Sequence, residues 1–346
     1  MRRSCSGSNS SEDKTSAVSA AVFRFACALS FSISICLAAC NSVASSPGAG
    51  ATTATDDVTQ LSITVPYTAS SAAFAAIWVA ADQNFFSKHG IQAQVQYMDA
   101  NAAAAALVSG QIPFCSSPAI LGPMLSDPDL VLVAKLVSQP SFSLYATSEV
   151  QRVEDLKGKI IADTQRGTAP DNALRDLLAR HGLSENDVQI VYTPNPSAAA
   201  AAMMTGQTSA AILAAPVTLA ARNAGYAQIG DTVAEGIPGL AAVISTQRSR
   251  LTADPVSVRA FLSALKEATD FMAVNPDATE AIIGKYTQTD AQADLAETYR
   301  VFEPTWIVGA VDPGDVAAAL HYSSDPKAAT ADPLTYIDSS IVRALH

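Results

Sequence analysis

Segments typical of β-strands alternate along this chain with segments typical of α-helices, and this order constrains the fold more than any other feature. Strand patterns occur at 61–65, 91–97, 130–134, 142–146, 159–162, 189–192, 210–213 and 241–245. Helical patterns lie between them, and the first begins near Ala72 with apolar residues at helical spacing. Such alternation predicts an α/β protein in which helices cover the sheets.

Two alanine-rich helices repeat one pattern at distant places in the chain. Asn101 is predicted to cap a helix that ends at Gly110, and Ser197 is predicted to cap a helix that ends at Gly206. A Gln follows the Gly in both cases. Either polyalanine helices simply resemble one another, or two lobes are built on the same α/β plan.

Other helix boundaries follow from capping residues. Thr168 and Asp171 resemble a capping box before a helix predicted at 173–181. Asp254 and Pro255 are typical of the start of a long helix. From about Thr287 onward the pattern predicts only helices that cover the fold.

The first forty residues have the form of a bacterial lipoprotein leader. An uncharged apolar run, Phe25–Leu37, is too short for a permanent membrane helix, which needs about 20 residues. It has the length of the hydrophobic segment of a signal peptide, and Ala38-Ala39-Cys40 follows it. We predict a signal peptide at 1–39, a lipid on Cys40 and a flexible tether at 40–58. The alternative is an ordinary secretory signal with a chance cysteine.

Composition argues against several classes of partner and chemistry. The net charge of −11 disfavours nucleic acid and anionic membrane surfaces. Cys115 is the single cysteine after the predicted leader, so we expect it to be buried and free of disulfide bonds. The four His residues lack metal-ligand spacing, and no phosphate-binding, dinucleotide-binding or nucleophile-elbow motif occurs. We therefore expect no metal, no cofactor and no catalytic residue.

Two blocks of the sequence resemble a known family. The stretch Phe85–Ile91 reads FFSKHGI and leads into a strand and the helix 102–111, as in the NMT1/THI5-like and SsuA-type periplasmic binding proteins. The second block runs through 153–159, 165–168 and 174–182 in the family's order. The resemblance implies a type II periplasmic-binding-protein fold, with two α/β lobes joined by two crossing strands around a ligand cleft. It also implies ligands such as sulfonates, nitrate, pyrimidine precursors or aromatic acids.

The resemblance also implies a domain plan and a function. Lobe 1 would comprise 59–141 and 241–346, lobe 2 would comprise 142–240, and hinge strands would lie near 138–146 and 238–246. We expect an exported monomer, anchored to the outer face of a bacterial membrane or in the periplasm. It would pass a small anionic or aromatic solute to the permease subunit of an ABC importer. The alternatives are a ligand-sensing surface lipoprotein without an importer and an enzyme like the family's pyrimidine-synthesis branch. The enzyme is disfavoured because that branch uses a cysteine-rich segment, whereas this chain has a single cysteine after the predicted leader.

Ligands of open α/β sheets bind beyond the carboxyl ends of strands, near helix N-termini that offer free N–H groups. Segments of small and hydroxyl residues follow several predicted strands, and a few polar side chains lie near them. Together they form the predicted ligand-binding set: Tyr67, Ser70, Ser71, Ser116, Ser117, Gln139, Arg166, Gly167, Thr168, Asn195, Pro216 and Glu235. Arg166 could clamp an anion or lie in solvent, and Tyr67 could stack on a ring. Trp78 could also stack, or pack in the core. Glu235 could select a cationic group. Each Ser or Thr could instead cap its own helix.

Overall fold

The computed structural model describes residues 61–345. The predicted signal peptide at 1–39, the lipidation site Cys40 and the tether at 40–58 lie outside the described residues. Within 61–345 no helix combines the length and the apolar character needed to cross a membrane.

Ten strands in the described part of the chain form three sheets. The strands are β1 (Leu61–Tyr67), β2 (Ile91–Tyr97), β3 (Leu130–Val137), β4 (Ser143–Ala146), β5 (Ile160–Asp163), β6 (Gln189–Tyr192), β7 (Ala210–Leu213), β8 (Ala227–Asp231), β9 (Val243–Gln247) and β10 (Trp306–Gly309). The strand orders are β1-β2, β10-β3-β9 and β6-β5-β7-β4-β8. Strand β1 runs parallel to β2, and β5 runs parallel to both β6 and β7.

Helices flank these sheets. They are α1 (Ala75–Asp82), α2 (Phe85–Lys88), α3 (Ala100–Val108), α4 (Leu121–Met124), α5 (Ala169–Arg180), α6 (Pro196–Met204), α7 (Val217–Asn223), α8 (Arg248–Ala253), α9 (Pro255–Val274), α10 (Pro276–Thr287), α11 (Gln292–Phe302), α12 (Pro313–His321) and α13 (Ser340–Arg343). The long helix predicted after Asp254 is α9, and the Asp254 side chain accepts a hydrogen bond from Ser257 N at 3.1 Å. The prediction of an α/β protein is confirmed.

The chain crosses twice between the five-stranded sheet and the two smaller sheets. The five-stranded sheet uses strands from 143 to 231, whereas the smaller sheets combine strands from before and after that range. Thr232 joins the two crossing segments, because its Oγ1 donates to Pro140 O at 3.0 Å and accepts from Phe142 N at 2.9 Å. The crossing segments, 138–142 and 232–242, overlap the ranges predicted for the hinge but contain no strand, so the two crossing strands are not seen there. The lobe boundaries stay a prediction.

Each lobe has its own apolar core. In lobe 1 the Phe261 ring of α9 stacks on Phe114 at 4.0 Å and on Phe86 at 5.4 Å between centroids. In lobe 2 the buried face of α5, with Leu174 and Leu177, packs with Ile161 against the five-stranded sheet. Each fully buried apolar side chain of this size contributes about 1.5–3 kcal/mol relative to exposure. Cys115 is fully buried and free, as predicted.

Three predicted helix starts are wrong. Asp99, not Asn101, caps α3, because its Oδ1 accepts from the backbone N–H groups of Asn101 and Ala102 at 2.9 and 3.1 Å. Asn195, not Ser197, caps α6 through Ala198 N at 2.9 Å. At the start of each helix, two residues that favour capping lie two positions apart. The first residue of each pair lies just before the helix and caps it.

The third wrong start is that of α5, which begins at Ala169. Thr168 makes no side-chain cap bond there, and its Oγ1 instead donates to Gln165 O at 2.6 Å.

Two strands were not predicted from the sequence. Strand β8 carries Gln228 and Gly230 at the edge of the five-stranded sheet, so its composition is weak for a strand. Strand β10 has four residues, lies in the stretch predicted as helical covering, and pairs antiparallel with β3. The C-terminal stretch is therefore part of a sheet of lobe 1 as well as its covering.

Candidate functional site

A cavity of about 700 Å³ is lined by residues of both lobes. The chain reaches it at the carboxyl ends of the parallel pair β1 and β2 in one sheet and of β5, β6 and β7 in another. The loops after these strands continue the lining. The position agrees with the general rule that ligands of open α/β sheets bind beyond the carboxyl ends of the strands.

Six predicted ligand-binding residues line this cavity: Tyr67, Ser70, Ser71, Ser117, Thr168 and Asn195. Two of the serines also cap short helical turns, since Ser71 Oγ accepts from Ala73 N at 3.4 Å and Ser117 Oγ accepts from Ala119 N at 3.2 Å. The structure thus brings half of the predicted set to one space. That these side chains contact a ligand stays a prediction.

The other six predicted residues do not line the cavity: Ser116, Gln139, Arg166, Gly167, Pro216 and Glu235. Ser116 Oγ donates to Pro66 O at 2.7 Å, and Arg166 Nη2 lies 3.4 Å from Glu185 on the exterior. Gly167 N donates to Asp171 Oδ2 at 2.9 Å. Pro216 follows a cis peptide bond, and Gln139 lies in a crossing segment.

Glu235, which is predicted to select a cationic group, instead contacts a histidine side chain of the protein. Its Oε2 lies 3.2 Å from His181 Nε2, while Glu154 Oε1 lies 3.0 Å from the other ring nitrogen. Hydrogen bonding to Glu154 and the charge of Glu235 raise the pKa of His181. The contact ties α5 to the segment after β8 and is structural.

A cluster of aromatic rings forms part of the cavity wall. The Tyr67 ring lies edge to face with Tyr97 and with Tyr286, each at 5.8 Å between centroids. Trp78 lies behind them, 5.4 Å from Tyr67 and stacked on Tyr286 at 5.1 Å. Trp78 is fully buried, so of its two predicted roles the core role is confirmed.

Tyr286 is held rigidly by its polar end. Its hydroxyl donates to Asp82 Oδ1 at 3.0 Å, and Lys285 Nζ contacts both Asp82 oxygens at 2.9 and 2.7 Å. Burial and the Asp82 carboxylate raise the pKa of Tyr286 well above its ordinary value. The phenol therefore stays neutral at physiological pH and presents a fixed ring.

Tyr286, Thr287 and Gln288 line the cavity, although no site residue is predicted from the sequence in this part of the chain. Nothing local in the sequence places the end of α10 beside β1. Tyr97 was also missed, but a signal for it exists. It is the last residue of β2 and pairs in register with Tyr67, so the two end at the same sheet edge.

A buried polar network lies behind the lobe 2 part of the cavity. Arg175 binds both oxygens of Asp171, at 3.0 and 3.1 Å, and Tyr192 Oη donates to Asp171 Oδ1 at 2.8 Å. Asp163 is fully buried at the end of β5, where its Oδ1 accepts from Thr164 N at 2.6 Å and its Oδ2 has no partner. Burial, with Asp171 nearby, raises the pKa of Asp163 to about 8.

A family sequence profile described as NMT1/THI5 like matches residues 71–279, which is more than half of the chain. The chain belongs to the NMT1/THI5-like family. The match spans the strands and helices whose ends form the cavity, and it confirms the resemblance found in the sequence.

Proteins similar to this member of the NMT1/THI5-like family include a Brucella abortus (strain 2308) protein provisionally named as a binding protein. The two are 26% identical over an alignment of 232 residues that covers 61% of this chain and 67% of that protein. The periplasmic aliphatic sulphonate-binding protein SsuA of Escherichia coli has a similar structure, with a TM-score of 0.66, 19% identity and coverage of 80% of this chain and 92% of SsuA.

The nitrate-binding protein NrtA of Synechocystis PCC 6803 also resembles this family member, with a TM-score of 0.64, 13% identity and coverage of 82% and 88%. These likenesses confirm the type II periplasmic-binding-protein fold. A desulfurization enzyme, DSZB, has the same fold at a TM-score of 0.59 and 12% identity over 82% of this chain and 98% of that one. The fold alone therefore does not separate binding proteins from enzymes.

Proposed function

We propose that this protein is the extracytoplasmic solute-binding component of an ABC importer. A small solute would enter the cavity, the two lobes would close on it, and the closed complex would dock on the permease. The observation that carries the proposal is the cavity itself, since one space of about 700 Å³ is lined by both lobes. Pockets of about 300–1,000 Å³ suit small-molecule ligands.

Lobe closure follows from the way the chain connects the lobes. Two short crossing segments, joined through Thr232, are the covalent links between the five-stranded sheet and the rest of the described chain. A solute that contacts both lobes favours the closed arrangement by its differential affinity for that arrangement. The similar Brucella abortus protein is itself named as a binding protein, which supports a binding function over an enzymatic one.

The proposal is tested by a thermal-shift screen of sulfonates, aromatic acids, pyrimidines, amides and nitrate. A solute at 100 times its Kd stabilises the folded state by about 2.7 kcal/mol, so a true ligand gives a clear rise in Tm. Ser70→Trp places a ring in the cavity and should abolish the shift. Ser87→Trp, on the exposed side of α2, should keep it. A shift that survives in Ser70→Trp would place binding elsewhere and contradict the proposal.

The membrane anchor is a separate part of the proposal. Cys40 would carry a lipid and the tether at 40–58 would let the folded part move above the membrane. Labelling with palmitate should be lost in Cys40→Ala and retained in Cys115→Ala, whose thiol is buried. Labelling that survives in Cys40→Ala would exclude the anchor.

Import is distinguished from sensing by transport. Disruption of the gene should abolish uptake of the identified solute by the source cells. Uptake that persists at the original rate would favour the surface lipoprotein that senses a ligand without an importer.

A further inference from the structure

The described part of the chain brings no cationic side chain to the cavity. Of the described residues that line it, none is Lys, Arg or His, and the single carboxylate belongs to Asp99. Asp99 is exposed at the cap of α3, and its Oδ1 is engaged by two backbone N–H groups. A charge removed from water needs a partner of opposite sign, so an enclosed anion would be poorly compensated here.

Cations in the elements around the cavity are already paired with acids. Arg175 of α5 is bound to Asp171, and Lys285, beside Tyr286, is bound to Asp82. Arg166, next to the lining residue Gln165, points to Glu185. Recruiting any of them for a ligand would break an ion pair that the structure contains.

The helix N-termini at the cavity offer few backbone donors. Helix α6 begins at Pro196 and α5 has Pro170 as its second residue, and proline has no N–H group. The Ala198 N–H is taken by Asn195, and the Gly167 N–H is taken by Asp171. Asp171, in the first turn of α5, already takes the favourable end of the helix dipole that an anion would use.

The lining that remains combines tyrosine rings with hydroxyl and amide groups in lobe 1, and it is polar but uncharged in lobe 2. Tyr67, Tyr97 and Tyr286 supply rings, and burial raises the pKa of Tyr67 as well as that of Tyr286, so both phenols stay neutral. Lobe 2 contributes hydroxyl and amide groups, among them those of Thr164, Gln165, Thr193, Asn195 and Ser197. Aromatic faces favour stacked or edge-on rings, and neutral polar groups favour hydrogen bonds.

We propose that the solute is an uncharged molecule with a planar ring, which packs against Tyr67 and Tyr286 and hydrogen-bonds through its substituents to lobe 2. The inference rests on the proposed function and narrows its ligand from the anionic and aromatic candidates to a neutral class. The cavity of about 700 Å³ has room for a ring with a sizeable substituent.

The test uses three isosteric probes that differ in charge: benzamide, benzoate and benzamidine. Isothermal titration calorimetry at neutral pH should give benzamide a Kd at least about tenfold lower than that of either charged probe, a difference of about 1.4 kcal/mol. Nicotinamide against nicotinate repeats the comparison with a heterocycle. Benzoate or benzamidine binding as tightly as benzamide overturns the inference and leaves solute binding intact.

If none of the probes binds, the solute is identified directly. The protein is incubated with a small-molecule extract of bacterial cells, and the retained compounds are identified by mass spectrometry. A retained neutral ring compound supports the inference, and a retained anion or cation overturns it. Retention of no compound at all counts against both the inference and the proposed function.

Variants test the two walls separately. Tyr286→Leu should weaken neutral-ring binding at least about fivefold, whereas Tyr336→Leu, a tyrosine outside the cavity, should not. Tyr97 is 51% exposed, so Tyr97→Leu probes the same wall without disturbing the core if Tyr286→Leu fails to fold. Gln165→Arg adds a cation and should shift the preference toward benzoate. Equal loss in Tyr286→Leu and Tyr336→Leu contradicts the aromatic contact.

Discussion

At the scale of single residues, Asp163 places a carboxyl where water cannot reach it. One of its oxygens accepts the Thr164 N–H, the other is unpaired, and the neighbouring charges are Asp171 and Arg175. Arg175, the neighbouring cation, is bound to both oxygens of Asp171, so it compensates Asp163 only weakly, and the Asp171 carboxylate disfavours a second negative charge. Burial therefore favours the protonated form, and the pKa rises from 3.8 to about 8.

This raised pKa predicts a loss of stability as pH increases. Below about pH 4 the carboxyl is protonated in both the folded and unfolded states and has no pH-dependent effect. Between about pH 4 and 8 the unfolded state releases the proton and the folded state keeps it, so unfolding becomes easier by up to about 1.4 kcal/mol per pH unit. Asp163→Asn keeps the shape and should flatten this slope.

The measurement is the free energy of unfolding in urea at several pH values from 4 to 8, for the wild type and Asp163→Asn. The variant should match the wild type near pH 4 and exceed it increasingly toward pH 8. Parallel curves for the two proteins would show that Asp163 does not keep its proton in the folded state.

At the scale of elements, two capping residues fix where α3 and α6 begin, and both helices start at the edge of the cavity. Replacing a capping Asp or Asn by Ala typically costs about 1 kcal/mol. Asp99→Ala should therefore lower the free energy of unfolding by about that amount, because the backbone N–H groups of Asn101 and Ala102 lose their acceptor.

The matched control is Asn101→Ala, which lies inside α3 and accepts no capping bond. Alanine has the higher helix propensity, so this change should be neutral or slightly stabilising. Asn195→Ala and Ser197→Ala give the same comparison at α6. Chemical denaturation at neutral pH distinguishes them, and a larger loss for Asn101→Ala than for Asp99→Ala would contradict the assigned caps.

The sequence predicted these elements well where the signal was local. The bounds of β2, β6 and β7 follow from short apolar or alternating runs between turn residues, and all three agree with the structure. The cap of α3 was misplaced because Asp99 and Asn101 are both good capping residues, and only backbone geometry selects one. Strand β10 and the site residue Tyr286 were missed because their roles depend on contacts with β3 and β1, more than 150 residues away.

The sequence also does not show which charged and N–H groups of the site are free to bind a ligand. Helix N-termini at strand ends predict an anion, and Arg166 is predicted either to clamp it or to lie in solvent. In the structure Arg166 faces Glu185, and the N–H of Gly167 is used by Asp171. Such internal pairing depends on side-chain directions that residue spacing does not specify.

At the scale of the whole molecule, lobe 2 contacts lobe 1 away from the crossing segments. Arg222 of α7 lies 3.2 Å from Glu297 of α11, and Asn223 Nδ2 donates to Asp294 Oδ1 at 3.4 Å. A similar contact joins Tyr322 Oη, after α12, to Asp176 of α5 at 3.1 Å. These contacts belong to the arrangement that encloses the cavity, so they bias the lobes toward it.

Removing one such contact should weaken solute binding without touching the cavity. Arg222 and Glu297 are partly exposed, and exposed pairs contribute at most about 1 kcal/mol, so Arg222→Ala should raise the Kd up to about fivefold. Arg300→Ala is the matched control, because Arg300 pairs with the same carboxylate at 2.7 Å from within α11. It should leave the Kd unchanged, and small-angle scattering without solute should show a larger radius of gyration for Arg222→Ala alone.

High salt should reduce the difference between the variants, since partly exposed pairs are screened. If both variants shift the Kd equally, Glu297 acts through the stability of α11, and the α7–α11 contact has no part in closure.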